Sequence, residues 1–202
     1  MKRRLRFIAV YFFAVGILLP ASPTRAADPT TVVTSLGNEA LKVLGKNVAP
    51  NQRVLRFRQL FTEDFDVPGI AHFVLGRYWR LATPEQQQEF VKLFTDYIAL
   101  AYSNRLAEYS GETLRVTGSR PAPDGSLVSS EILRTNGQPP ARVDWLLTPH
   151  DGAYRISDVI FEGVSMAVTQ RSEFASVIQR NGGQVQGLIA ALRQKTESAG
   201  LR

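Results

Sequence analysis

The chain contains no cysteine and only two histidines, His72 and His150, among its 202 residues. The lack of cysteine excludes disulfide bonds and thiolate metal ligands, so the fold must be stabilised by its hydrophobic core. The two histidines lie in separate segments, and no metal-binding cluster such as HExxH accompanies either of them. A nucleophile elbow, a Walker A loop and a GxGxxG motif are absent as well. These absences predict a protein that is not an enzyme, with no catalytic residues, metal ligands or cofactor.

One pair of carboxylates is the only feature of the sequence that could support catalysis. Asp158 and Glu162 lie four residues apart near the end of a predicted strand, where alternation places both side chains on one face. Paired carboxylates can perform acid–base catalysis, so an enzyme that uses these two residues is a distant alternative. A hydrogen-bonded turn at a strand end is the interpretation that the pattern favours.

The sequence also has no apolar run long enough to span a bilayer. Phe7–Leu19 comes nearest, but its length of about 13 residues falls short of the ~20 that a spanning helix needs. This run follows a basic start at residues 2–6 and precedes a stretch of small residues, Pro20–Ala26, which is the order of a secretory signal. We therefore expect residues 1–26 to be a cleaved signal peptide and residues 27–202 to form a single domain in the periplasm.

The charge of the chain depends on this segment. The whole sequence has 24 basic and 18 acidic residues, a formal net charge of +6. Five of the basic residues lie in the first 26 positions, so the remainder is nearly neutral, with 19 basic against 18 acidic residues. The excess of positive charge therefore belongs to the export signal, and the sequence does not predict a nucleic-acid partner.

The strongest structural pattern is one long helix, Thr83–Tyr109. Thr83 is the predicted N-cap, Pro84 occupies the first helical position and Glu85 lies in the first turn. Its apolar residues form two adjacent stripes, one of Phe90, Leu93, Phe94, Tyr97, Leu100 and Ala101, the other of Val91, Ile98, Tyr102, Leu106 and Tyr109. Two stripes exceed the single face that a surface helix buries. The helix must therefore cross a core, or one of its sides must face something that is not protein.

The remaining patterns predict an α+β domain. Further helical periodicity covers Asp28–Asn47 with Thr30 or Thr31 as cap, Asn51–Asp64, Val67–Leu75 with Asp66 as cap, Ser165–Arg180 and Val185–Lys195. Alternating residues predict four strands at Thr113–Ser119, Gly125–Thr135, Arg142–Thr148 and Tyr154–Phe161. Short connections between consecutive strands predict an antiparallel meander whose apolar face is covered by the helices.

Several blocks of sequence resemble the toluene-tolerance auxiliary, or MlaC, family. They read LGRYWRLATPEQQQEF, AYSNRLAEYSGE, NGQPPARVDW and YRISDVIFEGVSMAVTQRSEFASVIQRNGG, and they occur in the family's order between residues 28 and 192. The segment FDVPGIAHFVLGRYWR is similar to the hopanoid-associated branch, HpnM. The sequence leaves the choice between the two branches open.

The resemblance implies a carrier that performs no chemical reaction. Family members place helices over a curved four-stranded antiparallel sheet and hold the acyl tails of a phospholipid in a cavity between the two layers. They carry the lipid between an outer-membrane complex of lipoprotein and porin and an inner-membrane ABC transporter with an MCE-domain subunit. Members of the hopanoid branch are expected to carry hopanoid lipids instead. A monomeric periplasmic shuttle is therefore the expected function, and a periplasmic scaffold or chaperone is the remaining alternative.

Under this interpretation the lining of the cavity must be apolar. The expected lining residues are Val74, Tyr78, Phe94, Tyr97, Ile98, Tyr102, Val143, Trp145, Val159, Phe161, Val164 and Met166. Each of them fits an ordinary core equally well, because a core and a cavity wall have the same composition. Arg77, Arg80 and Arg142 are candidates for contact with a lipid head group or with an acidic patch of a partner protein.

Overall fold

The computed structural model describes residues 28–44, 48–106 and 111–198. The expected signal peptide and the expected end of the long helix at Tyr109 lie outside these ranges. The helices are α1 Pro29–Leu44, α2 Pro50–Asp64, α3 Val67–Leu75, a 3₁₀-helix Gly76–Leu81, α4 Pro84–Leu106, α5 Met166–Arg180 and α6 Val185–Ser198. The strands are β1 Thr113–Ala122, β2 Gly125–Leu133, β3 Ala141–His150, β4 Ala153–Phe161 and β5 Val164–Ser165.

The sheet is an antiparallel meander in which the strands follow one another in the order β1-β2-β3-β4-β5. The α+β architecture and the meander agree with the sequence prediction. The count of four strands was short by one, since β5 has only two residues and is too short to show alternation. In β3 and β4 the pairing shifts between Leu146 and Leu147, which leaves Ser157 of β4 as an extra residue. Such a bulge bends a strand and increases its twist.

The helix starts show which capping predictions hold. Thr83 and Gln86 form a reciprocal capping box at α4, with the Gln86 amide donating to Thr83 Oγ1 at 3.3 Å and the Thr83 amide donating to Gln86 Oε1 at 3.0 Å. Asp66 accepts from the Gly69 amide at 3.1 Å and caps α3 as predicted. For α1 the prediction of a threonine cap was wrong. Asp28 precedes Pro29 there, and its carboxylate accepts from the Thr30 amide at 3.0 Å.

The buried apolar residues form two clusters. The helical cluster lies among α2 to α6 and includes Phe90, Phe94 and Phe174. The sheet cluster lies between α1, α2 and the strands, and includes Leu36 and Leu147. Phe57 and Phe65 are partly buried and pack against both clusters. One cluster therefore packs helices against one another, and the other packs α1 and α2 against the sheet.

None of the described helices is long and apolar enough to cross a membrane.

Candidate functional site: an apolar cavity between sheet and helices

A cavity of about 380 Å³ lies between the two layers. Its walls come from α2, α3, α4, the strands β2 to β4 and the start of α5. The lining consists of Phe57, Phe61, Phe65, Ile70, Val74, Phe94, Ile98, Tyr102, Arg105, Ile132, Val143, Trp145, Ser157, Asp158, Val159, Phe161, Met166, Ala167 and Gln170. The volume lies within the range of about 300–1,000 Å³ that is usual for small-molecule pockets. Because most of the lining is aliphatic or aromatic, the cavity suits an apolar ligand.

The sheet wall is held in place by a buried serine. The Trp145 indole donates a hydrogen bond to Ser130 Oγ at 2.8 Å, and Ser130 in turn donates to the carbonyl of Val143 at 2.9 Å. Trp145 pairs with Val159 on β4, and Val143 pairs with Phe161. With the polar atom of the indole satisfied, the ring can present its apolar surface to the cavity without an unpaired donor.

Helix α2 and the residue that follows it contribute a row of three phenylalanines, none of which is among the lining residues expected from the sequence. Phe57, Phe61 and Phe65 are spaced four residues apart, with ring centres 6.2 and 5.0 Å from one another along the row. The last of them lies beyond the end of α2, where the Asp66 amide donates to the carbonyl of Ile156 at 2.9 Å. The repeated spacing is visible in the sequence, but Phe65 falls outside the helix that the pattern predicts.

Helix α4 presents Phe94, Ile98 and Tyr102 to the cavity. This line takes one residue from the first predicted stripe and two from the second, so neither stripe alone is the cavity wall. Burial raises the pKa of the Tyr102 phenol. That hydroxyl lies 3.7 Å from the sulfur of Met166 and donates to it, which joins α4 to the first residue of α5.

The polar groups in the lining are few, and most already have partners. The Asp158 carboxylate accepts from its neighbour's amide on Val159 at 2.8 Å, from Ser165 Oγ at 2.5 Å and from the Ala167 amide at 3.0 Å. These bonds fasten β4 to the start of α5. Glu162 lies outside the lining, and its carboxylate accepts from the Arg142 amide. The two carboxylates thus have separate structural partners, which agrees with the interpretation as a strand end.

Nine of the residues expected to line the cavity do so, and three lie elsewhere. Tyr78 is buried in the helical cluster, with its hydroxyl 2.9 Å from Arg77 Nη2. Tyr97 faces α5 and α6, where its ring lies 5.9 Å from that of Phe174. Val164 on β5 is 53% exposed. Helical periodicity places a residue on a face, but it does not say which neighbour covers that face.

The three arginines proposed for head-group contact also lie outside the lining. Arg77 donates to the hydroxyl of Tyr78, and Arg80 is exposed on the 3₁₀-helix. Arg142 forms an ion pair with Asp144 at 2.8 Å, on the face of β3 opposite to the cavity residues Val143 and Trp145. A different arginine, Arg105 in the last turn of α4, is part of the lining.

The residues described here include no cluster of three or more histidine and carboxylate side chains that could hold a metal ion.

The fold and the cavity together define a class, that of α+β proteins with an apolar chamber between sheet and helices. The model of the family described as "MlaC protein" matches residues 34–194, most of the chain. The chain belongs to the MlaC family. Members of this family are lipid-binding carriers and not enzymes.

Individual relatives agree with this assignment. The toluene tolerance protein ttg2D of Pseudomonas putida is 29% identical over 184 residues, which cover 86% of this chain and 85% of that protein. The intermembrane phospholipid transport system binding protein MlaC of Haemophilus influenzae is 24% identical over 125 residues, which cover 60% of this chain and 58% of that protein. A phospholipid-binding protein from Ralstonia solanacearum, solved in complex with a phospholipid, superposes with a TM-score of 0.71 at 25% identity. That comparison covers 85% of this chain and 98% of the other.

Proposed function

We propose that this protein is a periplasmic carrier that binds a phospholipid by burying its acyl tails in the cavity between sheet and helices. The observation that carries the proposal is the cavity itself, whose wall is mainly aromatic and aliphatic. The phospholipid complex of the Ralstonia solanacearum protein supports it, because that chain has the same fold.

The energetics of tail burial suit a carrier. Each buried methylene contributes ~0.8 kcal/mol, so a tail of about 15 carbons contributes on the order of 12 kcal/mol before the costs of binding. That gross value corresponds to roughly nanomolar affinity. Since such affinity is expressed mainly as a slow off-rate, spontaneous release into a membrane is expected to be slow. The carrier therefore needs a partner that opens the cavity.

The proposal includes export and two membrane partners. Residues 1–26 act as a cleaved signal peptide, and the mature domain moves lipid between an outer-membrane lipoprotein and porin complex and an inner-membrane ABC transporter with an MCE-domain subunit. The name of the Haemophilus influenzae relative, which places that protein in an intermembrane phospholipid transport system, supports this route.

The nature of the ligand can be tested on protein purified from the cell envelope. Native mass spectrometry is expected to show a mass increase equal to one lipid, and extraction is expected to identify it as a phospholipid. Recovery of a hopanoid would replace the phospholipid by the ligand of the hopanoid branch. A mass equal to that of the bare mature chain, unchanged after incubation with phospholipid vesicles, would contradict the carrier function.

The need for a partner can be tested with loaded protein and two kinds of acceptor. We expect transfer of a fluorescent phospholipid into liposomes that contain the ABC transporter with its MCE-domain subunit, and much slower transfer into liposomes of the same lipids alone. Equal rates into both acceptors would show that release does not require docking.

A further inference from the structure

We propose that Arg105 contacts the phosphate of the bound lipid and makes the cavity prefer phosphate-bearing lipids to uncharged ones. This inference rests on the proposed function, because it assigns a head-group contact to the cavity that holds the tails. It concerns a residue that lies one turn beyond the apolar line of α4 and that the periodicity of the helix does not select.

The position of Arg105 marks the place where the cavity meets solvent. Every other lining residue is buried or half-buried, whereas Arg105 is exposed. Phe94 and Val74, at 1% exposure each, belong to the closed part of the cavity. The side chains of α4 that line the cavity thus run from a buried phenylalanine to an exposed arginine. A lipid whose tails enter the buried part therefore has its head group at the level of this arginine.

The guanidinium is held at the rim by an aromatic ring. Its central carbon lies 5.4 Å from the centre of the Tyr102 ring, and that ring is itself part of the lining. A cation–π contact of this kind restrains an arginine without using its hydrogen-bond donors. The guanidinium can therefore offer donors to a phosphate, which it binds in a bidentate manner.

The charges nearby favour this role. Among the described residues that line the cavity, Arg105 is the only cation, so a phosphate finds no competing positive group in the wall. Asp158 is the only anion in that lining, and its carboxylate already accepts from Ser165 Oγ and from the Ala167 amide in the first turn of α5. The positive end of the α5 dipole compensates part of that negative charge. Repulsion of a phosphate by Asp158 is thereby weakened.

The test compares two probes that differ only in the phosphate-bearing head group. Delipidated wild type and its Arg105→Ala and Arg105→Lys variants are titrated with phosphatidylglycerol and with diacylglycerol of the same acyl chains, by displacement of a fluorescent fatty acid. Arg105→Ala is expected to weaken binding of phosphatidylglycerol about three- to tenfold and to leave diacylglycerol unchanged, since an exposed charge contact is screened by solvent. The affinity of Arg105→Lys for phosphatidylglycerol is expected to lie between those of wild type and Arg105→Ala, because lysine keeps the charge and loses the planar fork.

The control variant is Arg120→Ala, which removes an exposed arginine of β1 outside the cavity lining and is expected to bind both probes as the wild type does. Unchanged binding of phosphatidylglycerol by Arg105→Ala would overturn the inference. An equal loss for both probes would overturn it too, because the arginine would then act by packing on Tyr102. A wild type that binds neither probe would overturn the proposed function along with the inference.

Discussion

The two halves of α4 carry similar side chains and have different surroundings. In the first half, Phe90 is fully buried, with its ring 5.8 Å from that of Phe174 on α5, and Glu89 pairs with Arg193 of α6. In the second half, Ile98 and Tyr102 face the cavity, with the sheet on its far side. Both halves satisfy the requirement that apolar surface be removed from water. Apolar periodicity in the sequence thus indicates that a surface is shielded from water, but it does not indicate whether protein or a ligand shields it.

Both halves of α4 pack in the same buried cluster, since Phe90 and Ile98 are members of the helical cluster and Tyr102 packs against it. The sheet cluster is made of described residues of α1, α2 and the strands, and α4 contributes none of them. Beside the second half, the fastening of β4 to α5 by Asp158 holds the layers together at one edge. The cavity is therefore a gap between the helical cluster and the strands β2 to β4, beside the region where α1 and α2 pack directly on the sheet.

The largest expected effect is that of removing a ring from the packed half. Phe90→Ala is expected to lower the free energy of unfolding by about 3–5 kcal/mol in urea denaturation of delipidated protein, because the site cannot collapse around the lost volume. Phe161→Ala, which removes a half-buried ring from the cavity wall, is expected to cost clearly less and to weaken lipid binding. Equal losses of stability in the two variants would mean that the cavity is closed in the delipidated protein.

The converse substitution adds volume to each region. Ala71 of α3 is 0% exposed in the helical cluster. Ala71→Phe places a ring at this filled position, and the overpacking is expected to cost about 1–3 kcal/mol or more. Ala167→Phe adds the same ring to the cavity wall, where space exists. We expect the second variant to unfold near the wild-type urea concentration and to bind lipid more weakly. A large loss of stability in Ala167→Phe would contradict the assignment of free volume there.

A smaller effect concerns the side of α4 that faces α2. Burial raises the pKa of Asp96, although its carboxylate pairs with Arg58 Nε at 2.8 Å. Because the folded state holds this proton more tightly than the unfolded state, this group lowers stability as pH rises from the unfolded pKa of about 3.9 through the folded one. Asp96→Asn is expected to lack that contribution. Urea denaturation from about pH 3.5 to about pH 7, the range over which carboxyl groups titrate, should show wild type losing stability relative to the variant as pH rises.

A constant difference between wild type and Asp96→Asn across that window would contradict the raised pKa. A difference of the opposite sign, with wild type gaining stability relative to the variant as pH rises, would show that the ion pair with Arg58 outweighs the burial of the carboxyl group.

The smallest expected effect is that of Tyr102→Phe. The variant loses the hydrogen bond from the hydroxyl to the sulfur of Met166 and keeps the ring in the cavity wall. We expect a loss of at most about 0.5 kcal/mol in the free energy of unfolding, at the low end for a hydrogen bond, and unchanged lipid affinity. A strong loss of binding would show that the link between α4 and α5 shapes the cavity.

Much of the fold could be predicted because it depends on local patterns. The capping box at Thr83, the cap at Asp66 and the alternation around Trp145 each involve residues close in sequence. Where a local prediction failed, another local feature was present, as with Asp28 before Pro29 at the start of α1. The strand β5 is too short for any periodicity to be seen.

The site was predictable in part. The apolar residues of β3 and β4 that line the cavity follow from alternation on one face of a sheet, whereas Ser157 and Asp158 lie at the bulge. Phe65 and Arg105 could not be predicted in this way, since one lies past a helix end and the other interrupts an apolar pattern with a charge. Tyr97 was assigned to the cavity because a stripe does not reveal which neighbour it meets, and α5 covers it in the structure.

The sequence by itself determined the elements of this protein, their order and the faces that need cover, because capping and periodicity act over a few residues. It also carried the blocks of residues that relate the chain to its family. Only the tertiary structure decided that α5 and α6 cover one side of α4 and that a cavity separates Ile98 and Tyr102 from the sheet. The reason is that these contacts join residues far apart in the chain. They leave part of the apolar surface of α4 lining a cavity, with Arg105 at its rim.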